Sequence, residues 1–193
     1  MVLEVSHDGL RNSGFEKKAL LGTDVAVLVG QTNNDWIQLA SEDMKRINPY
    51  TATGLSASIS AARVAYALGL KGPAYVVDTA CSSALVALDS ASANLQRRRC
   101  SAAVSVAANV MCSVATYVSF SKPRMLSVLG RSLSFDATAN GYGRGEGCGA
   151  TVLERVADSR GTTLALVAGT AVNQDGLSST MTAPNGPSQQ AVV

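Results

Sequence analysis

The sequence predicts a layered α/β protein with a mixed β-sheet, and three observations lead to this prediction. Short apolar runs alternate with segments of helical spacing along the 193 residues. Hydrophobic residues make up 47% of the chain and charged residues only 16%, which is enough apolar material for a sizeable core. Aromatic residues are scarce at 5%, whereas small residues are abundant, so helices and strands are expected to approach one another closely.

The first half of the chain contains one strand between helical segments. Residues 3–10 have helical spacing, which stops near Gly14, and residues 24–30 form a continuous apolar run typical of a strand buried on both faces. Residues 35–47 return to helical spacing through Trp36, Leu39, Met44 and Ile47, and Pro49 ends that helix. Residues 56–68 predict a helix of small residues that stops at Gly69, where a left-handed cap is expected.

The second half alternates in the same way. Residues 74–78 predict a strand, and residues 82–96 a helix with Leu85, Leu88 and Leu95 on one face. Residues 101–108 predict another strand. Residues 149–156 and 163–172 are two apolar runs joined by a short polar connection, so they predict a hairpin that closes the sheet. A turn-rich loop at 182–187 follows.

Composition and patterning argue against several other functions. The formal charge of +2 is too small to favour nucleic acid, and Arg97 to Arg99 are expected to be a solvated helix end. The uncharged stretch 100–121 contains too many polar residues for a membrane span, and it predicts a strand followed by a helix. Early Glu4 and Asp8 do not fit a secretory signal, which favours the cytoplasm, with a plastid as the alternative compartment.

The four cysteines and the single histidine do not suggest a metal site. Cysteine spacings of 19, 12 and 36 contain no Cys-x-x-Cys pair, and His7 is the only histidine. We therefore expect no bound metal and four reduced thiols. Cys100, Cys112 and Cys148 lie in apolar segments and are predicted to be core thiols.

Cys81 is the candidate nucleophile. It lies between the strand predicted to end at Asp78 and the helix predicted to begin near Ser82, so it falls on a strand-to-helix turn. A helix N-terminus stabilises a thiolate, and its free N–H groups can hold the oxyanion that forms when a thioester is attacked. Small neighbours at 80 and 82–84 would let an acyl chain or a slender prosthetic arm reach the sulfur.

Three motifs resemble the β-ketoacyl synthases, specifically the ketosynthase domains of polyketide and type I fatty-acid synthases. The first is Thr79-Ala80-Cys81-Ser82-Ser83 after a Gly-Pro-x-x-x-Val-Asp strand. The second runs from Ser134 to Gly149 and is rich in glycine. The third comprises residues 171–176 and 182–189. Ala84 stands where the family commonly has Ser, and residues 107–109 replace usual glycines.

This resemblance implies a thiolase-like α-β-α fold, with residues 1–193 forming a partial domain truncated at both ends. It implies that Cys81 accepts an acyl group from the phosphopantetheine arm of an acyl carrier protein, which Thr182 would face. No bound cofactor is required. The resemblance also implies a homodimer whose subunits meet at the strand after Arg99. Decarboxylative condensation with a malonyl-type extender would then need two histidines that the family carries beyond the position of Val193.

Two alternatives remain at this point. One is a thiolase or a ketosynthase that uses coenzyme A, although the segments around Phe135 and Asn173 fit the carrier-protein type better. The other is a non-catalytic homologue that binds acyl carrier protein or a dimer partner.

Several other residues and motifs are predicted to stabilise the structure and to take no part in catalysis. The glycines of residues 145–150 match a loose dinucleotide pattern but precede a strand, the reverse of the required order, so they are expected to allow close backbone packing. Arg144 and Glu146 are predicted to form an ion pair, and Asp136 to hold its loop. His7 lies in the first helix, where the family has no catalytic residue.

Overall fold

A computed structural model describes residues 1–32, 35–41, 45 and 47–193. Four strands form one mixed sheet in the order β2-β1-β3-β4. β1 (Ala26–Gln31) lies between β2 (Ala74–Val77) and β3 (Ala102–Asn109) and is parallel to both, whereas β4 (Gly147–Glu154) is antiparallel to β3. The carboxyl ends of β1, β2 and β3 therefore lie at one edge of the sheet. β4 runs in the opposite direction, so its first residue lies at that same edge.

Helices cover both faces of this sheet. The described helices are α1 (Val2–Asn12), α2 (Lys17–Leu20), α3 (Asp35–Ser41), α4 (Thr51–Leu55), α5 (Ser58–Leu68), α6 (Ser83–Gln96), α7 (Val114–Ser121) and α8 (Gly186–Val192). On one face α1 and α5 pack over Val27, Val29 and Val104. On the other face the small residues Ala87 and Ala91 of α6 contact Ala26 and Leu28. The predicted layered α/β fold with a mixed sheet is confirmed.

Most of the predicted elements are confirmed with small shifts of their ends. The helix predicted at 56–68 begins two residues later and is capped by Gly69, whose φ of 69° is left-handed as predicted. The stretch 100–121 is a strand followed by a short helix, as predicted. The helix predicted at 35–47 is observed only as α3, which ends at Ser41: Ile47 is exposed and not helical, and Met44 lies outside the described residues.

Two predictions about the packing are wrong. Residues 163–172 do not form the second strand of a hairpin: the run lies outside the sheet, with Leu164 and Leu166 exposed, and β4 is paired only with β3 among the described strands. The buried face of α6 contains Ala87, Ala91 and Leu95, whereas Leu85 is 71% exposed. The apolar runs had the right composition for these roles, but composition does not specify which partner an apolar residue meets.

The strand after Arg99, where the resemblance implies that subunits meet, offers no strand edge to a partner. That strand is β3, which is paired with β1 on one side and β4 on the other, so it has no free edge. β2 is the outer strand at one end of the sheet, and it exposes Ala74 and Tyr75.

Candidate active site at the start of helix α6

The turn that connects β2 to α6 carries Cys81. Asp78 Oδ1 accepts a hydrogen bond from the backbone N–H of Ala80 at 3.1 Å, and the Ser82 hydroxyl donates to the Thr79 carbonyl at 2.8 Å. Ala80 has a φ of 55°, a left-handed conformation that costs a non-glycine residue about 1 kcal/mol. The turn therefore holds a strained residue directly before the candidate nucleophile.

Ser83 stabilises this turn through hydrogen bonds of its side chain. Its side chain is buried, its hydroxyl donates to the Ala80 carbonyl at 2.6 Å, and its oxygen accepts from the Thr79 N–H at 2.8 Å. The sequence prediction placed Ser83 in the collar of small residues around the sulfur, but the structure gives it this inward role. No sequence signal distinguished it from Ser82, which is exposed.

Gly30 lies directly against the first turn of α6. A Cβ at this position would lie 2.6 Å from the Ser83 carbonyl oxygen and 2.8 Å from the Ala84 nitrogen, distances that backbone atoms cannot accommodate. The helix can therefore start directly against the end of β1 only because residue 30 has no side chain. This dependence was not predicted from the sequence.

Cys81 is exposed at the head of α6, as a thiol that must meet a substrate requires. The N–H groups in the first turn of a helix have no carbonyl partners within the helix. The Ser83 N–H is bonded to the Ala80 carbonyl, and the remaining first-turn N–H groups can bind the oxyanion of an attacked thioester. The neighbours Ser82 and Ala84 are small and exposed, so they leave the sulfur accessible.

A second group of polar contacts lies at the carboxyl edge of β3. The Asp35 carboxylate is buried, and it accepts hydrogen bonds from the N–H groups of Cys112 and Ser113 and from the Thr116 hydroxyl. Burial by itself raises the pKa of Asp35. The hydrogen bonds from Thr116, Ser113 and Cys112, with the charge of Arg144, outweigh burial and hold the pKa below its usual value. Asp35 is therefore ionised at neutral pH and was not identified from the sequence.

The smaller predictions have mixed outcomes. The Arg144 guanidinium lies about 5 Å from the ring centroids of Tyr117 and Phe120, and the described residues show no ion pair between it and Glu146. Glu146, which directly precedes β4, instead accepts a hydrogen bond from the Met111 N–H at 2.7 Å, in the loop that follows β3. Asp136 holds its loop as predicted, because its carboxylate accepts hydrogen bonds from the Thr138 N–H and hydroxyl. The same two bonds lower the pKa of Asp136.

The other three cysteines differ in exposure. Cys100 is buried and Cys148 half-buried, and burial raises the pKa of both thiols. Cys112 is exposed in the loop after β3, so the prediction that it is a core thiol is wrong. β3 ends at Asn109, close to its predicted end at residue 108, and the apolar residues that follow, Cys112 among them, lie in a loop.

His7 and Thr182 are not part of the turn around Cys81. His7 lies on α1 with its Nδ1 atom 3.3 Å from the Asp8 carboxylate. Thr182 lies in the exposed loop before α8. The segments of the third motif do come together, because the Asn185 side chain donates to the Asp175 carbonyl and that of Asn173 to the Ser188 carbonyl.

Two classes of site are not seen in the part of the chain that the structure describes. No group of three or more His, Cys, Asp or Glu side chains is placed to hold a metal ion. No helix among the described residues has both the length and the apolar character needed to cross a membrane.

The layered α/β fold, with a cysteine on the turn between a parallel strand and a helix, defines a thiolase-like protein. Solved ketosynthases share this arrangement. The ketosynthase from module 6 of the bacillaene synthase from Bacillus subtilis 168 superimposes with a TM-score of 0.90 at 31% identity, over 99% of this chain and 32% of its own. The oxazolomycin ketosynthase domain OzmH KS7 of Streptomyces albus JA3453 gives a TM-score of 0.90 at 30% identity.

The chain belongs to the β-ketoacyl synthase family. Residues 1–159 match the model of the β-ketoacyl synthase N-terminal domain. The whole chain is 43% identical to the pikromycin polyketide synthase component PikAII of Streptomyces venezuelae and 41% identical to the erythronolide synthase EryA2 of Saccharopolyspora erythraea. It spans only 5% and 6% of the length of these relatives.

Proposed function

We propose that this chain is the acyl-accepting part of a polyketide ketosynthase, and that Cys81 is its nucleophile. The observation that carries this proposal is the exposed Cys81 thiol at the head of α6, on a turn braced by Ser83. A core cysteine would need neither exposure nor a strained residue beside it. Polyketide synthases among the curated relatives favour a polyketide over a fatty-acid pathway.

Acyl transfer is a balanced exchange between two thioesters. The Cys81 thiolate attacks the carbonyl carbon of the incoming thioester, and a new carbon–sulfur bond forms as the oxygen becomes an oxyanion. First-turn N–H groups of α6 stabilise that oxyanion. The carbonyl re-forms when the bond to the incoming arm's sulfur breaks, and the released arm thiolate takes up the proton that Cys81 had lost.

Condensation requires more than acyl transfer. Loss of carbon dioxide from a malonyl-type extender leaves negative charge on a carbonyl oxygen, which a positioned donor must stabilise. Within the 193 residues the only histidine is His7, which is paired with Asp8 on α1. We therefore expect the 193-residue polypeptide to be acylated at Cys81 without catalysing condensation.

The test separates these two steps. The polypeptide is incubated with an acyl N-acetylcysteamine thioester, and the acyl mass is located by peptide mass spectrometry. Carbon dioxide release from malonyl-carrier protein is measured in parallel. We expect one acyl group on Cys81 and no carbon dioxide above background, because each lost oxyanion donor costs roughly 100- to 1,000-fold. Condensation by this polypeptide would overturn the assignment of roles, and absence of acylation would favour the non-catalytic, carrier-binding alternative.

The proposed partner is an acyl carrier protein whose phosphopantetheine arm delivers the acyl group. Thr182 remains the proposed contact for that arm. The segment that precedes the loop around Thr182 contacts the exposed side of α6, where the Thr170 hydroxyl donates to Asp89 at 2.6 Å. The bacterial relatives favour the cytoplasm over a plastid as the compartment.

We also propose that two copies of the chain associate through the free edge of β2. An outer strand presents unpaired backbone groups, and two identical edges related by a two-fold axis can pair antiparallel. Tyr75 is 39% exposed on this strand. Sedimentation velocity should show a dimer that Ala74→Pro shifts toward monomer, because proline cannot donate to a ladder. A wild-type chain that stays monomeric at all concentrations would contradict the proposal.

A further inference from the structure

Two carboxylates bind three consecutive backbone N–H groups in the loop that follows β3. The Met111 N–H donates to Glu146 at 2.7 Å, and the Cys112 and Ser113 N–H groups donate to Asp35 at 3.0 and 2.9 Å. The second oxygen of Asp35 accepts from the Thr116 hydroxyl at 2.7 Å. We call residues 111–113 the clamped segment, since its backbone is held from two sides.

Asp35 is the stronger of the two carboxylate contacts. Its side chain is 3% exposed, whereas Glu146 is exposed. Hydrogen bonds to an ionised group gain strength when water is excluded, and a buried carboxylate leaves its donors no alternative partner. The charge of Arg144 adds the smallest of the contributions that lower the pKa of Asp35, after the hydrogen bonds from Thr116, Ser113 and Cys112.

The clamped segment lies at the same edge of the sheet as Cys81. β2 and β3 flank β1 and are parallel to it, so Cys81 follows β2 and Met111 follows β3 at neighbouring carboxyl ends. Two strand spacings place these chain positions about 10 Å apart laterally. The side chain of Met111 is half-buried, its sulfur accepts a hydrogen bond from the Tyr117 hydroxyl at 3.3 Å, and the side chain of Cys112 is exposed, so neither lies in the core.

We propose that Asp35 is a positioning residue that holds the clamped segment as a wall for the acyl group carried on Cys81. This inference rests on the proposed acyl transfer. A methionine adapts readily to apolar ligands, and it can select among them only if its backbone is fixed. Asp35 provides that fixation without itself contacting the acyl group.

Asp35→Asn tests this role with little change in size. The amide has one acceptor oxygen, but three donors face the carboxylate, so at least one of them loses its partner. The clamped segment is expected to relax, and Met111 with it. Asp136→Asn is the matched control, because Asp136 also accepts a backbone N–H and a hydroxyl but holds a different loop.

The measurement is the rate constant for Cys81 acylation by a series of N-acetylcysteamine thioesters from acetyl to decanoyl. In Asp35→Asn the ratio between the best and the poorest acyl group should fall about tenfold, the equivalent of one lost hydrogen bond to a charged group. Alkylation of Cys81 by iodoacetamide should change less than about twofold, because the α6 turn is untouched. Asp136→Asn should leave both quantities unchanged.

Each alternative outcome has a defined meaning. An unchanged acyl ratio, or an equal fall for every acyl group, would overturn the positioning role. Failure of the wild-type chain to acylate would overturn the proposed function instead. If Asp35→Asn does not fold, Thr116→Val removes only the hydroxyl that binds Asp35, and it should lower the ratio in the same direction. Hydrogen exchange at the Cys112 and Ser113 amides should accelerate in either variant, and unchanged exchange would refute the clamp.

Discussion

Cys81→Ala is expected to abolish acylation of the chain by acyl thioesters. The substitution removes the exposed thiol on the turn between β2 and α6, while Ser83 and the rest of the turn retain their hydrogen bonds. Loss of the nucleophile leaves no group to form the thioester, so the acylated fraction should fall to background rather than by a modest factor. Intact-mass spectrometry after incubation with an acyl N-acetylcysteamine thioester measures this fraction.

Cys148→Ala is the control for that experiment. Cys148 is half-buried on β4, and burial raises the pKa of its thiol, so it should contribute nothing to acylation. Limiting iodoacetamide adds a second comparison in the wild-type chain. Cys81 and Cys112 are both exposed, and each directly precedes the N-cap residue of a helix. The N–H groups of Cys112 and Ser113 are already bonded to the Asp35 carboxylate, so Cys81 should be labelled faster, by roughly up to fivefold. Acylation that persists in Cys81→Ala would reject Cys81 as the nucleophile.

Gly30→Ala should displace the first turn of α6 and the turn that carries Cys81. The new Cβ would lie 2.6 Å from the Ser83 carbonyl oxygen, and neither backbone can yield without moving the first turn of α6. Overpacking of this kind typically costs 1–3 kcal/mol, and a clash with backbone is at the upper end, so we expect the free energy of unfolding to fall by about 3 kcal/mol. Acylation of Cys81 should fall more than tenfold, because the oxyanion donors move with the helix.

Gly54→Ala provides the matched control. Gly54 lies in α4, and an added Cβ there would meet no atom within 4 Å. Alanine in a helix is more favourable than glycine by up to about 1 kcal/mol, so this variant should be unchanged or slightly more stable. Urea denaturation of both variants, with acylation measured in the absence of urea, gives the comparison. A Gly30→Ala variant as stable and as active as wild type would show that the packing of α6 against β1 does not require glycine at position 30.

Local patterns in the sequence determined the elements and the candidate nucleophile. Continuous apolar runs identified the strands at Ala26–Gln31 and Ala102–Asn109, because strands covered on both faces have no polar side to interrupt them. Gly69 marked the end of α5 because few other residues tolerate its φ of 69°. The order of strand, Cys81 and helix was also local, so its position on the turn could be predicted.

Only the tertiary structure decided which elements and side chains meet. Residues 149–156 and 163–172 are both apolar, and a hairpin between them was a reasonable prediction, but only β4 joins the sheet, through its pairing with β3, and no described strand pairs with the outer edge of β4. Ser82 and Ser83 are chemically identical neighbours, and the direction of the turn exposes one and buries the other. Asp35 meets Cys112 and Ser113 across a separation of more than 75 residues, so no local pattern could reveal that contact. Sequence patterns act over a few residues, whereas the packing of α6 against Gly30 and the hydrogen bonds of Asp35 to residues 112 and 113 join distant parts of the chain.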